Sequence, residues 1–138
     1  MAYAGNSAAF GRGAHCATIT GDITLTNQDS GKIFFLGVLG ATTITLPSAK
    51  AGVHYKFINT GLNTGDVKID TGTASATAPD IYGVTAGAAG EAISAKRILT
   101  IANSPETIGD QIDIISDGTN WYCSNMQGAD NAIVGADS

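Results

Sequence analysis

The chain has 138 residues, of which 14 % are charged and 43 % hydrophobic, and its formal net charge is −5. This length suits a single domain with a sizeable core, and an acidic chain without a basic stripe is not typical of a nucleic-acid-binding protein. The richness in Gly, Ala, Thr and Ser with so few charges favours strands and turns and indicates a protein that works within an assembly.

The N-terminal segment, residues 1–15, is rich in Gly, Ala and Ser and contains two isolated aromatic residues, Tyr3 and Phe10. It lacks the charged region followed by an apolar core that marks a signal peptide, and no apolar run in the chain is as long as a membrane span. Two interpretations stay open. The segment is a loose terminus, or it is an arm that lies along a neighbouring subunit and anchors there through Tyr3 and Phe10.

Short segments of alternating apolar and polar residues fill residues 16–126, and clusters of Gly, Asn, Asp and Ser between them predict turns. We therefore predict an all-β domain, an antiparallel β-sandwich or jelly-roll-like barrel of about nine or ten short strands. Gly-Asp pairs precede three of these strands, but the segments between the pairs do not match, so no duplicated unit is inferred. Residues 127–138 are small and acidic and predict a C-terminal tail, either frayed or a second arm.

Residues 71–90 form the longest segment without clear strand character, and within it only residues 80–84 alternate like a strand. A loop of this length in a small domain is often an interaction element, and its small side chains suit packing against another subunit. Tyr82 is the aromatic residue of this segment. We therefore count Tyr82 with Tyr3 and Phe10 as candidate interaction residues.

The clearest local signal is a β-hairpin over residues 110–124. Asp117-Gly118 predicts a two-residue turn, because Asp and Gly tolerate positive φ at both central positions. The register that this turn sets is Ile114–Trp121, Asp113–Tyr122 and Ile112–Cys123. Strand alternation then places the side chains of Ile112, Ile114, Trp121 and Cys123 on the core face, with Tyr122 facing outward beside Asp113.

No group of residues in the sequence predicts catalysis or metal binding. His15 and His54 have no Cys, Asp or Glu at ligand spacing, so each is interpreted as an exposed or satisfied histidine. A calcium site built from Asn63, Asp66 and Asp70 has a spacing that matches no calcium loop. The serines have no nucleophile-elbow context, and nothing resembles a phosphate loop. We predict no catalytic residue, no metal and no cofactor.

The two cysteines, Cys16 and Cys123, leave two interpretations open. The favoured one is a pair of free, buried thiols that pack as small apolar residues. The other is a long-range disulfide that joins the first strand to the last hairpin. The choice depends on whether the two β-carbons meet in space, which residue spacing does not define.

Three segments in succession resemble small structural proteins of tailed-phage virions. They are Asp29-Ser30-Gly31-Lys32 with the apolar run after it, the segment from Ile44-Thr45-Leu46-Pro47 to Asn59-Thr60-Gly61, and Ser116-Asp117-Gly118-Thr119-Asn120-Trp121-Tyr122. Head decoration (cement) proteins and fibre or spike modules both contain this succession, and the resemblance spans residues 20–126. The last segment recurs widely in phage fibre-like proteins, so it marks the class of protein better than the individual role.

The resemblance implies a non-enzymatic structural protein that is made in the host cytoplasm and built into the virion. A compact body with an arm at each end favours a capsid decoration protein over a fibre. Such a protein is expected to bind the major capsid protein as a homotrimer on the outer surface of the head and to stabilise capsomer contacts, with no nucleic-acid or membrane partner. The alternative is a tail-fibre, spike or head-fibre module that binds a receptor or the host surface.

Overall fold

A computed structural model describes residues 15–72, 79–84, 92–128 and 131–137. These residues form twelve short strands, and a 3-10 helix at Asn27–Asp29 lies between two of them. In chain order the strands are β1 (Cys16–Thr18), β2 (Ile23–Thr24), β3 (Ile33–Leu36), β4 (Thr42–Thr45), β5 (His54–Asn59), β6 (Val67–Asp70), β7 (Ile81–Val84), β8 (Ala92–Lys96), β9 (Ile98–Ile101), β10 (Gln111–Ser116), β11 (Trp121–Gln127) and β12 (Ile133–Ala136). Among the residues described, no helix has the length and apolar character needed to cross a membrane.

The strands form two sheets that pack as a sandwich. One sheet has seven strands in the order β1-β3-β5-β10-β11-β7-β8, and the other has five in the order β12-β9-β6-β4-β2. The predicted all-β sandwich is therefore confirmed. The expectation of antiparallel pairing is wrong for part of the fold, because both sheets are mixed, and the described residues contain more strands than the nine or ten expected.

Parallel pairing arises because the chain alternates between the two sheets from β1 to β6. Each strand of one sheet is followed by a strand of the other, so the chain re-enters each sheet in its original direction. The strands β1, β3 and β5 thereby pair in parallel, and so do β2, β4 and β6. Ile23, Ile44 and Ile69 hold the same position in three successive turns. We call β1–β6 the coil. Its last two strands pair antiparallel with later strands, β5 with β10 and β6 with β9.

Aromatic side chains from the coil and from β11 fill the space between the two sheets. Phe34 stacks on Phe57 with ring centroids 5.6 Å apart, and Tyr55 stacks on Trp121 at 6.0 Å. None of the four is more than 2 % exposed, and each such pair contributes about 0.5–1.5 kcal/mol beyond its buried area. Burial raises the pKa of Tyr55 to about 12, while its hydroxyl donates a hydrogen bond of 2.6 Å to the carbonyl oxygen of Thr26.

The hairpin of β10 and β11 confirms the predicted faces but not the predicted register. The observed pairs are Ser116–Trp121, Ile115–Tyr122, Ile114–Cys123, Asp113–Asn125 and Ile112–Met126. The loop has four residues, because Asp117 Oδ1 accepts hydrogen bonds of 2.8 Å from the backbone N–H groups of Thr119 and Asn120. The register differs from the predicted one by two residues up to the bulge at Ser124, and an even shift leaves every side chain on its expected face. Trp121 is accordingly buried, and Tyr122 faces outward beside Ile115, not Asp113.

The C-terminal residues differ from the expected tail. The strand β11 extends to Gln127, and β12 pairs antiparallel with β9 at the edge of the five-stranded sheet. Ile133 is 4 % exposed and joins the core. Gly135 permits this docking, because a Cβ at that position would lie 2.8 Å from the Lys96 side chain. Of the expected N-terminal arm, only His15 falls within the described residues, and it is exposed.

Candidate functional site

The polar side chains of the described residues are spread over separate contacts. They include no group of three or more His, Cys, Asp or Glu that could hold a metal ion. The three residues considered for calcium serve different contacts. Asn63 is buried, Asp66 Oδ1 accepts a hydrogen bond of 3.1 Å from the Asn103 backbone N–H, and Asp70 Oδ2 lies 3.1 Å from Arg97 Nη2. The geometry therefore does not favour a calcium site at these residues.

The two cysteines are unpaired and lie far apart in the seven-stranded sheet. Cys16 is exposed on the edge strand β1, whereas Cys123 packs against the core from β11. Three strands lie between them, which corresponds to about 19 Å and exceeds disulfide reach. The free-thiol interpretation is thus confirmed, although Cys16 is not buried as expected. Burial raises the pKa of the Cys123 thiol from 9.0 to about 12, so this thiol stays protonated and unreactive near neutral pH.

One end of the sandwich presents apolar side chains to solvent. Three connections meet there, between β3 and β4, between β5 and β6, and between β9 and β10. Val38, Leu62 and Ile108 lie on these connections and are 77 %, 59 % and 66 % exposed. We call the surface defined by these three residues the apolar end. Its connections, residues 37–41, 60–66 and 102–110, contain three acidic residues, of which Glu106 and Asp110 are buried and Asp66 is exposed. The surface therefore carries one exposed charge, at Asp66, directly before β6.

A buried hydrogen-bond network holds the three connections together beneath the apolar end. Asn63 donates to the Glu106 carboxylate through both its backbone N–H and its side-chain amide, the latter at 2.8 Å. Asn59 Nδ2 donates to the same carboxylate at 3.3 Å, and Asn63 Oδ1 accepts a hydrogen bond of 2.8 Å from the Leu39 backbone N–H. Because the loops are fixed before any partner arrives, docking on this end would lose little conformational entropy.

The backbone of Val38 lies in the left-handed region, with φ at 57°. This conformation is rare for a β-branched residue and costs about 1–2 kcal/mol. Gly or Asn at this position would be less strained and would expose less apolar surface. Folding of the isolated chain therefore gives no reason for a valine here, and backbone strain of this kind clusters at binding sites.

The candidate interaction residues from the sequence lie elsewhere. Tyr82 is on β7, half-buried on the outer face of the seven-stranded sheet, and its ring stacks on that of Tyr122 with centroids 5.6 Å apart. It aligns with the start of β11, whereas the apolar end lies near the end of that strand. Tyr3 and Phe10 lie outside the described residues.

The residues of the apolar end were not identified from the sequence. All three lie in the segment 16–126, and Ile108 lies just before the hairpin predicted for residues 110–124. One signal was present: each of them adjoins a glycine, in Gly37-Val38, Gly61-Leu62 and Ile108-Gly109. A large apolar residue beside glycine in a turn segment has no strand face on which to be buried, so it is a candidate for exposure.

Comparisons of the chain with protein-family models, with curated proteins and with solved structures find no match. No family is therefore assigned from similarity.

Proposed function

We propose that this protein is a non-enzymatic capsid decoration (cement) protein of a phage. In this role it binds the major capsid protein on the outer surface of the head through its apolar end, as a homotrimer, and stabilises the contacts between capsomers. The observation that carries the proposal is the apolar end, where Val38, Leu62 and Ile108 are exposed on connections that a buried network holds in place. The three segments that resemble tailed-phage structural proteins supply the virion context.

The energetics of the apolar end suit a protein that acts in many copies. Full burial of a Val, Leu or Ile side chain contributes about 1.5–3 kcal/mol, so three such side chains give a modest affinity at one site. Many copies, each bridging neighbouring capsomers, multiply this contribution over the shell. Because the three exposed side chains of the apolar end are apolar, the surface of the capsid protein that contacts them is expected to be apolar as well.

The proposal is tested by mixing the purified protein with phage heads that lack their decoration protein and sedimenting the mixture. The wild-type protein should co-sediment saturably. The triple variant Val38→Asn, Leu62→Ser, Ile108→Ser should bind at least about tenfold more weakly, because the buried apolar area is lost. Val84→Ser is the matched control, since Val84 is 61 % exposed on β7 and is not part of the apolar end. Absence of wild-type binding, or equal binding by the triple variant, would contradict the proposal.

Copy number distinguishes this role from the alternative of a tail-fibre, spike or head-fibre module that binds a receptor or the host surface. A decoration protein is present in proportion to the capsid lattice, whereas a fibre module is present in the few copies that a tail or vertex carries. Quantitative mass spectrometry of purified virions, with the major capsid protein as internal standard, measures this ratio directly.

A further inference from the structure

We propose that the outer face of the seven-stranded sheet carries a binding groove for a neutral oligosaccharide. A groove of about 350 Å³ crosses β3, β5, β10 and β11 on this face. Ile33 and Ile115 line it with aliphatic surface, and Lys32, Lys56 and Asp113 add polar groups. Predominantly apolar lining with a few placed polar groups is the usual composition of a small-ligand site. A sugar matches it, because a pyranose ring combines an apolar C–H face with a rim of hydroxyls.

The charges of the groove balance, which favours a neutral ligand. Lys32 Nζ lies 2.8 Å from Asp29 Oδ1, and Lys56 Nζ lies 3.3 Å from Asp113 Oδ1. The hydrogen bond from Lys32 holds the pKa of Asp29 below its ordinary value, so this carboxylate is ionised at neutral pH and offsets the lysine charge. Since each ammonium group already has a carboxylate partner, a phosphate or carboxylate ligand would find no unpaired cation here.

The groove offers both hydrogen-bond acceptors and donors. Asp113 lines the groove with a side chain that is 32 % exposed, so its carboxylate can accept a hydrogen bond from a ligand. His54 Nδ1 lies 3.0 Å from the Gly52 carbonyl oxygen. A carbonyl can only accept, so Nδ1 carries the hydrogen and Nε2 is left as an acceptor. Hydroxyl groups both donate and accept, so a polyhydroxylated ligand satisfies these acceptors and also the lysine donors.

Two backbone features shape the groove. Gly31 has φ at +88° and carries no side chain above the His54 ring, where a Cβ would lie 3.8 Å from Nε2. Ser124 is the extra residue of the β-bulge in β11 and is one of the residues that line the groove. Bulges commonly redirect a side chain toward a binding site, and here the bulge adds a group that hydrogen-bonds sugars.

The groove and the apolar end lie toward opposite ends of the same strands. His54 begins β5 and Asn59 ends it, which separates them by about 17 Å. The groove therefore stays accessible when the apolar end is covered. The inference goes beyond the proposed virion role and does not depend on it, since sugar binding can be measured on the isolated protein.

The experiment screens the purified full-length protein on an array of immobilised bacterial and plant oligosaccharides, and then titrates the strongest hit in a calorimeter. The double variant Lys56→Ala, Asp113→Ala should weaken binding at least about tenfold, because both polar walls are lost without leaving an unpaired charge. Ser124→Trp should also abolish binding by filling the groove. The matched control is Lys96→Ala, Asp137→Ala, which removes a second ion pair, of 3.1 Å, outside the groove.

Each outcome of the screen decides the proposal. Binding to neutral oligosaccharides that both groove variants lose and the control retains supports it, provided that the thermal midpoints of the variants stay close to that of the wild type. Wild-type protein that binds no oligosaccharide overturns it. Equal binding by wild type and groove variants, or binding restricted to acidic glycans, overturns it as well.

Discussion

Val38 has a left-handed backbone conformation and an exposed β-branched side chain. A substitution at this position is therefore expected to change folding stability and binding in opposite directions. Val38→Asn should raise the free energy of unfolding by about 1 kcal/mol, because Asn adopts the left-handed conformation with less strain. The same substitution should weaken binding to undecorated heads, because apolar area is lost. Urea denaturation and the sedimentation experiment measure the two effects.

Ala95 provides the control for this prediction, because it too has positive φ, at 52°, and lies on β8, outside the apolar end. Ala95→Asn should stabilise the protein in the same direction and leave head binding unchanged. A Val38→Asn variant that is less stable than the wild type would contradict the strain argument.

Cys123 and Tyr55 make the stability of the protein sensitive to alkali. Burial raises the pKa of Cys123 from 9.0 to about 12 and that of Tyr55 from 10.0 to about 12. Above pH 9 the unfolded chain loses protons that the folded chain retains, so the free energy of unfolding should fall as pH rises from about 9 to 12. The urea midpoint should therefore be lower at about pH 10.5 than at about pH 8.

Two measurements test whether Cys123 is buried and contributes to the loss of stability at alkaline pH. Cys123→Ala should reduce the alkaline loss of stability and leave the part due to Tyr55. Iodoacetamide at neutral pH should label the exposed Cys16 and leave Cys123 unmodified until the chain is unfolded. Rapid labelling of Cys123 in the native protein would show that its thiol is not held in the core.

At the scale of elements, the connections of the apolar end depend on Glu106. Glu106→Gln should cost about 1–3 kcal/mol of stability, because the new amide group would face the N–H donors of Asn59 and Asn63. Hydrogen exchange should accelerate in residues 37–41 and 60–65, which this carboxylate ties together. Asp137→Asn, at an exposed carboxylate paired with Lys96, should change neither quantity measurably.

Alternation of apolar and polar residues was sufficient to predict most strands and the inward face of Trp121, because side-chain direction follows from local backbone geometry. Register was not predictable from Asp117-Gly118, since the Asp117 side chain caps a four-residue loop. The parallel pairing of β1–β6 was not predictable either. The successive turns of the coil differ in length, so the sequence shows no fixed period that would indicate them. The apolar end depends on contacts such as Asn63 with Glu106, 43 residues apart, which no local pattern encodes.

At the scale of the whole molecule, the apolar end offers mainly apolar contact area, because Asp66 is the one exposed charged residue on its connections. Association with heads should therefore depend little on ionic strength, because screening weakens only interactions between charges. We expect the dissociation constant to change less than about threefold between 50 mM and 500 mM salt. Sedimentation at both salt concentrations measures this. A steep loss of binding at high salt would point to a charged docking surface in another part of the chain.

The coil has a consequence for how a protein of this shape can vary. Each turn of the coil contributes one strand to either sheet, and β10 and β9 pair with the last turn of the coil, through β5 and β6. Insertion or deletion of one complete turn of the coil near the N-terminus would add or remove one strand in each sheet. Both sheets would then be wider or narrower by about 4.8 Å, measured across the strands. The connection after β5 would keep its hydrogen bonds to Glu106. The width of the sandwich therefore changes in steps of one complete turn of the coil. Related proteins with more or fewer turns would fit capsid lattices of different spacing.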